Sequence, residues 1–255
     1  MGMFDGAVAL VTGAGGGIGS ATVEALLAQG AEVVATDLRE PSAGTLRLAH
    51  DVSSEADWAR IAAEIQERWG KLDCLVNNAG IATISAIEEN SLDDWRRQMS
   101  VNVDSMLLSL KATLPLLKEA GKTREGGASV VNLSSTGGLT GAAFMSAYCT
   151  SKGAVTLFSK CAAIEFGVLG YNIRVNSMHP GGIGTGMLDE IFDAYVRLGV
   201  VTDKDEAGKG VVRDHPIGRL GRPEEIAAGI VHLCSPASSF MTGSAMVVDG
   251  GFTAH

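Results

Sequence analysis

Tyr148 and Lys152 bracket the pentapeptide Tyr148-Cys149-Thr150-Ser151-Lys152, a spacing that puts two side chains on one face of a helix. A phenol ionises near pH ~10 and is a poor base at neutral pH. A neighbouring ammonium favours the phenolate, so the pair reads as an acid/base device at a substrate oxygen. A second signal lies near the N-terminus, in Thr12-Gly13-Ala14-Gly15-Gly16-Gly17-Ile18-Gly19, between a buried-strand pattern and a helical one. Glycines let backbone approach a pyrophosphate, and a helix N-terminus offers free N–H groups and a positive dipole end. The spacing departs from the common dinucleotide fingerprint, because Ile occupies position 18 and the last Gly falls one later. Asp37 ends the next strand pattern, where a carboxylate accepts from adenosine ribose hydroxyls and repels a 2′-phosphate. Leu38 beside it is not basic, no Lys or Arg lies between Gly13 and Gly19, and Arg39 is the one nearby cation. These residues predict NAD over NADP, whose positive nicotinamide ring is a further influence favouring the Tyr148 phenolate.

The elements that must position these residues alternate along the chain. Short apolar runs at 7–12, 32–36, 50–52, 72–76, 130–133, 173–178 and 245–248 read as strands. Helical patterns run through Ala21, Val23, Leu26 and Leu27 to a stop at Gly30, and over 56–69, 92–118, 146–166 and 223–234. The alternation predicts repeated βαβ units, hence an α/β fold with a seven-stranded, mostly parallel sheet and helices on both faces. No repeat, low-complexity tract or linker divides the chain, so 1–255 is read as one domain. The stretch 187–222 is longer than an ordinary connection, as substrate-binding loops and lids are. Met187, Leu188, Ile191, Phe192 and Tyr195 predict a short amphipathic helix within it.

Composition narrows the class. The 255 residues are 46% hydrophobic and 19% charged, as in an ordinary globular protein, and carry a formal charge of −9. That acidity argues against nucleic acid and anionic membrane surfaces as partners. Cys74, Cys149, Cys161 and Cys234 are far apart, without metal-ligand spacing, which fits reduced thiols in a cytoplasmic protein. No basic segment precedes an apolar stretch at the start, and no apolar run is long enough for a membrane span.

Further segments complete the pattern. Ser135 ends the run Val131-Asn132-Leu133-Ser134-Ser135, Asn77-Asn78-Ala79-Gly80 follows the fourth strand, and Asn102 sits in the helix after it. Pro180-Gly181-Gly182-Ile183-Gly184-Thr185 follows the sixth strand. With these, the chain closely resembles the short-chain dehydrogenase/reductase family, in the branch of about this length, over residues 5–251. The resemblance implies a doubly wound, Rossmann-type domain and a hydride transfer between nicotinamide and a secondary alcohol or ketone. It implies that Tyr148 exchanges the proton, Lys152 binds the nicotinamide ribose and lowers the Tyr148 pKa, and Ser135 rather than Ser134 holds the substrate oxygen. Asn102 is implied to anchor a water linking Lys152 to solvent. Gly13, Gly17, Ile18 and Gly19 are implied to line the pyrophosphate, Asp51 and Val52 the adenine, and Asn78, Ala79 and Gly80 the cofactor cleft. Pro180, Gly181, Ile183 and Thr185 are implied on its nicotinamide side, with Ile183 and Thr185 fixing the carboxamide.

Two other readings stand beside this one. A non-catalytic NAD-binding sensor of the same fold is expected to have lost Tyr148 or Lys152, which this chain retains. A 3-oxoacyl-thioester reductase of the same family is expected to use NADP, against which Asp37 argues. The apolar lid suits a cyclic or steroid-like alcohol, and it also suits a subunit contact. His179, preceding Pro180, is expected to be structural, and Cys149 a packed small residue. The resemblance implies a homotetramer through the helices at 92–118 and 146–166, with Asp249-Gly250-Gly251 near another interface.

Overall fold

A computed structural model describes residues 2–254. The chain runs β1 (Val8–Thr12), α1 (Gly17–Ala28), β2 (Glu32–Asp37), β3 (Leu46–Ala49), α2 (Glu55–Trp69) and β4 (Cys74–Asn77). It continues through α3 (Leu92–Met99), α4 (Ser105–Gly121), β5 (Ala128–Leu133), α5 (Ser146–Val168) and β6 (Ile173–Pro180). Then come α6 (Gly186–Arg197), α7 (Lys204–Asp214), α8 (Pro223–Cys234) and β7 (Ala245–Val248). The seven strands pair in parallel in the order β3-β2-β1-β4-β5-β6-β7. Strand order reverses beside β1, which pairs with β2 on one side and β4 on the other, opening a crevice at the carboxyl ends of these strands.

Both faces of the sheet are covered, which is why the central strands read as continuous apolar runs. Ala9 and Val11 point to the layer holding Val23 and Leu26 of α1 with Ile226 and Ile230 of α8. Val8 and Leu10 point to the opposite layer, with Trp58 and Ile61 of α2, Leu117 of α4 and Phe166 of α5. Helix ends follow their local chemistry. Ser54 accepts from the Asp57 N–H to start α2, and Gly70, at φ +66°, takes the left-handed conformation that ends it.

Three expected elements differ. The third strand is Leu46–Ala49, not residues 50–52. It is an edge strand, with Leu46 and Leu48 turned toward the core and Arg47 and Ala49 exposed, so it lacks a continuous apolar run. His50 ends the pairing by donating its N–H to the Asp37 carbonyl. The helix expected over 92–118 is two helices joined by a π-turn at Ser100–Asp104, with Asn102 buried at its middle. A π-turn adds a residue to the turn and redirects side chains, often at functional sites. The long connection holds two helices, α6 and α7, where one was expected. α7 was hidden by two glycines and a charged face, although Asp203, which accepts from Glu206 N–H, is an N-cap.

The ends of β4 and β5 are tied to the helices behind them by a buried amide network. Asn77 Nδ2 donates to Asn132 Oδ1 and to Ser109 Oγ of α4, each at 2.9 Å. Asn132 Nδ2 donates to Ser159 Oγ of α5 at 2.9 Å. Asn132→Ala leaves the Asn77 amide with Ser109 Oγ alone and the Ser159 hydroxyl with the Val155 carbonyl alone, and is expected to lower unfolding free energy by about 1–3 kcal/mol. Urea unfolding measures it, and a loss below about 0.5 kcal/mol would show that the network adds nothing net to stability.

Candidate active site

The residues singled out by chemistry converge on one cleft of about 1090 Å³ at the carboxyl ends of the strands. Gly13, Gly17, Ile18, Asp37, Asp51, Val52, Asn78, Ala79 and Gly80 line one part of it. Ser135, Tyr148, Lys152, Pro180, Gly181, Ile183 and Thr185 line the rest, while Gly19 and Asn102 stand behind the wall.

Tyr148 and Lys152 project from α5 one turn apart, with Lys152 Nζ over the Tyr148 ring at 5.7 Å from its centroid. Lys152 is buried and donates to the Leu133 carbonyl at 2.7 Å, at the end of β5. Burial disfavours its charge and lowers its pKa to about 8. Burial also pushes the Tyr148 phenol above its ordinary value, and the Ser135 hydroxyl only partly opposes this. The sequence led us to expect that Lys152 lowers the Tyr148 pKa. In the protein alone desolvation wins, and the phenol stays protonated at neutral pH.

The two adjacent serines separate cleanly. Ser134 Oγ is engaged with the Lys152 carbonyl and Thr156 Oγ1, both at 2.9 Å, and so fastens α5 to the end of β5. Ser135 Oγ lines the cleft and accepts from Gly137 N–H at 3.1 Å. His179 lies fully buried beneath it, with Nδ1 at 2.9 Å from the Ser135 carbonyl and Nε2 at 2.8 Å from Ser177 Oγ. It supports the serine and does not line the cleft. Cys149 is half-buried, with burial raising its thiol pKa, which does not suit a nucleophile.

Asn102 clasps the loop after β4. Its Oδ1 accepts from Ile81 N–H, and its Nδ2 donates to the Ile81 carbonyl and Ser151 Oγ, each at 2.9 Å. Its Oδ1 and the Lys152 ammonium approach the same backbone, since a Cβ on Gly80 would lie 3.3 Å from one and 3.4 Å from the other.

The Gly-rich turn has the shape of a phosphate cradle. A side chain on Gly19 would run into the Gly13 carbonyl and the Asn78 amide. Gly13 and Gly17 have φ of +64° and +52°, and α1 begins with no side-chain cap on its N–H groups. Asn78, expected to face the adenosine side of the cleft, chiefly braces the turn. Its Nδ2 donates to the Thr12 and Gly13 carbonyls at 2.9 Å each. Asp37 is held by two backbone donors, Gly15 N–H on Oδ2 at 2.8 Å and Leu38 N–H on Oδ1 at 2.7 Å. Asp51 accepts from the Ser53 N–H and hydroxyl. These residues fit a dinucleotide: unpaired helix N–H groups at the glycine cradle, and a fixed carboxylate where the ribose hydroxyls would lie.

Sequence reasoning missed several residues that line the cleft, among them His50. His50 lines the cleft, with Nδ1 at 3.0 Å from Thr36 Oγ1 and its ring edge-to-face on Trp58. Burial lowers its pKa to about 4, so it is neutral. Met187, Leu188, Ile191 and Tyr195 of α6 do line the cleft, as their spacing suggested. Phe192 instead is buried against Gly208 of α7. Met145 and Val211 join the lining, with no local motif to reveal them.

A family profile described as Enoyl-(Acyl carrier protein) reductase matches residues 13–253. The chain is 36% identical over 261 residues to the NADP-dependent (R)-specific alcohol dehydrogenase of Lentilactobacillus kefiri, covering 98% of each chain. It is 35% identical over 267 residues to the cyclopentanol dehydrogenase of Comamonas sp. (strain NCIMB 9872), covering 100% of both. Among solved structures, the aldohexose dehydrogenase of Thermoplasma acidophilum superposes with a TM-score of 0.88 at 29% identity, covering 99% of this chain and 96% of that one. Similarity of this depth across nearly the whole length means that the chain belongs to the short-chain dehydrogenase/reductase family.

Proposed function

We propose that this chain is an oxidoreductase that moves a hydride between NAD(H) and a secondary alcohol or ketone, with an apolar cyclic or steroid-like compound as substrate. The observation that carries this is the convergence of Ser135, Tyr148 and Lys152 on one cleft shared with the Gly-rich turn and Asp37. Bound nicotinamide would supply or take the hydride. The chain's own residues handle the proton. In reduction, the Tyr148 hydroxyl, protonated because it is buried, donates to the carbonyl oxygen. In oxidation the same oxygen, as phenolate, accepts the alcohol proton. Ser135 Oγ hydrogen-bonds the substrate oxygen and keeps it in reach of Tyr148. Lys152 holds the ribose hydroxyls, and its charge favours the phenolate. Asn102, which holds the loop beside Lys152, would anchor a water that returns protons to Lys152.

The lid, residues 187–222, supplies the substrate surface. Its Leu188, Ile191 and Tyr195 line the cleft together with Met145, which suits an apolar ring system. Similarity to a cyclopentanol dehydrogenase supports the same class. Leu107 on α4 and Leu157, Ile164 and Val168 on α5 are exposed apolar side chains, which suits self-association, with the homotetramer being what the family resemblance implies. No helix among the described residues is long and apolar enough to cross a membrane.

Tyr148→Phe is expected to remove at least ~10² of turnover, while NADH affinity stays within a few-fold, because the phenol exchanges the proton. Assays on cyclic secondary alcohols and 3-oxoacyl thioesters, followed by reduced-nicotinamide absorbance, test both the residue and the substrate class. A variant keeping a tenth of wild-type activity would exclude Tyr148 as the acid/base, and thioesters as the better substrates would favour the acyl reductase.

The pKa of Lys152 gives a pH signature. In the free protein the ammonium persists below about pH 8 and is lost above it. NADH affinity is therefore expected to fall as pH rises through about 8, and Lys152→Ala should bind weakly at every pH. Alcohol oxidation at saturating cofactor should instead rise toward alkaline pH as the Tyr148 phenolate forms. Fluorescence titration and steady-state rates across this range measure both, and a flat binding profile would contradict the role of the ammonium.

Cofactor choice rests on Asp37. Its carboxylate, fixed by Gly15 and Leu38 N–H groups, would confront a 2′-phosphate that it cannot swing away from. NAD is expected to exceed NADP by about tenfold or more in kcat/KM, which corresponds to about 1.4 kcal/mol. Asp37→Ser with Leu38→Arg should narrow or reverse the ratio, because a guanidinium binds phosphate by a charge-assisted pair. A wild-type preference for NADP, the cofactor in the name of the Lentilactobacillus kefiri relative, would defeat the argument.

A further inference from the structure

His215 caps the C-terminus of α7 and is nearly buried, yet it belongs to none of the roles above. Both of its ring nitrogens are committed. Nε2 lies 2.9 Å from the backbone nitrogen of Gly182, and Nδ1 lies 2.6 Å from the Val211 carbonyl. The Gly182 N–H can only donate and the Val211 carbonyl can only accept. Hydrogen bonding therefore dictates the tautomer, with the proton on Nδ1 and a free lone pair on Nε2. The ring also packs on Phe252, with centroids 5.2 Å apart and planes tilted by 31°. One imidazole thus joins the lid helix, the residues after β7 and the backbone that follows β6.

That backbone is the segment from Pro180 to Thr185. Gly181 N–H donates to the Val248 carbonyl, Gly221 N–H donates to the Gly182 carbonyl, and Gly184 N–H donates to the Gly221 carbonyl. Ile183 forms a bridge with Gly221. At the far end Thr185 reaches the Gly-rich turn, where a Cβ on Gly17 would lie 3.2 Å from its Cγ2. His215 adds to this backbone clamp a side chain reaching from the lid. The absence of side chains at Gly181 and Gly182 is what admits it: a Cβ on Gly181 would sit 2.7 Å from Nε2, and one on Gly182 would sit 3.2 Å from Cε1.

We infer that His215 is a positioning residue, which acts through Gly182 to fix Ile183 and Thr185 at the nicotinamide end of the cleft and ties that end to α7. The inference rests on the nicotinamide-dependent reading above. Without the imidazole the part-buried Gly182 N–H loses its protein partner, and the segment is no longer held to α7 at that point. Movement there shifts the two residues that flank the cofactor side of the cleft, so the defect appears in cofactor affinity and turnover more than in folding.

Three variants test this. His215→Phe keeps an aromatic ring against Phe252 and removes both nitrogens. His215→Gln keeps an acceptor long enough to reach Gly182, whereas His215→Asn is an amide too short to do so. Equilibrium binding of NADH by fluorescence, kcat and KM for NAD, and thermal melting are measured on each. The Phe and Asn variants are expected to bind NADH about tenfold more weakly and to turn over several-fold more slowly, with Gln recovering most of both. If the Phe variant does not fold, the Gln–Asn pair carries the comparison alone. Gln and Asn variants that are equally impaired would assign His215 to packing and overturn the inference. So would Phe and Asn variants within twofold of wild type in affinity and kcat. Wild-type protein that binds no NADH would sink the underlying function together with the inference; normal wild-type turnover with unaffected variants would sink the inference alone.

Discussion

A buried ammonium that no carboxylate neutralises among the described residues is the constraint around which the cleft is arranged. Desolvation of Lys152 is unfavourable, as its lowered pKa records, and the Leu133 carbonyl offsets only part of it. The ammonium retains donors without charged partners, and it lies beside Gly80. A cation held in this state is free to receive hydroxyl oxygens, as the proposed reading requires. What keeps the side chain from escaping to solvent is the attachment of α5 to β5. Ser134 bonds the Lys152 carbonyl and Thr156, and Ser159 bonds Asn132. The polar network between sheet and helix therefore serves the chemistry by making the lysine's position costly to change.

The same logic governs Tyr148. Burial favours the neutral phenol, which is the form that donates a proton to a carbonyl. The reverse reaction needs the phenolate, and the protein alone does not supply enough positive charge to produce it. One tyrosine can thus serve both directions, with its protonation responding to the charge bound beside it. On the opposite wall, the glycine cradle is made rigid by groups that do not face the ligand. Asn78 holds two carbonyls of the turn, and Thr12 Oγ1 accepts from the Asn78 and Ala79 N–H groups. Side-chain amides and hydroxyls behind the wall take up the backbone groups there, which leaves the N–H groups of the first turn of α1 for the anion.

The parts legible in the sequence were those where one residue type at one spacing has few alternatives. The Tyr148–Lys152 pair, the glycine turn and Asp37 are of this kind, and the strand–helix alternation followed from burial of both sheet faces. The unread parts obey weaker local rules. Leu46–Ala49 is an edge strand with one face in solvent, so its apolar signal is halved and residues 50–52 looked better. The π-turn at Ser100–Asp104 leaves the helical pattern intact while changing its hydrogen-bond register. α7 presents Ala207 and Val211 inward and charge outward, which resembles a polar loop. The family resemblance places Asn78 at the cleft, which it lines, and only the fold shows that its amide also turns back on the end of β1.

Reaction and substrate are recorded in different parts of the molecule. Ser135, Tyr148, Lys152 and Asp37 stand on the ends of central strands or on the long α5, fixed by buried hydrogen bonds to neighbouring elements. Their geometry tolerates little variation. On the proposed reading the substrate surface comes instead from α6 and α7, which pack on each other through Phe192 and Gly208. Apolar side chains such as Leu188, Ile191 and Tyr195 give area and shape without fixing direction, so many ring systems can fit the same wall. A sequence of this kind therefore names its chemistry far more sharply than its substrate. The point where the two parts meet is the backbone from Pro180 to Thr185, hydrogen-bonded on one side to β7 and Gly221 and on the other to the histidine that ends α7. On the proposed reading that backbone flanks the cofactor, so the hydrogen bonds that hold it join α7 to the reaction centre despite their different tolerance to change.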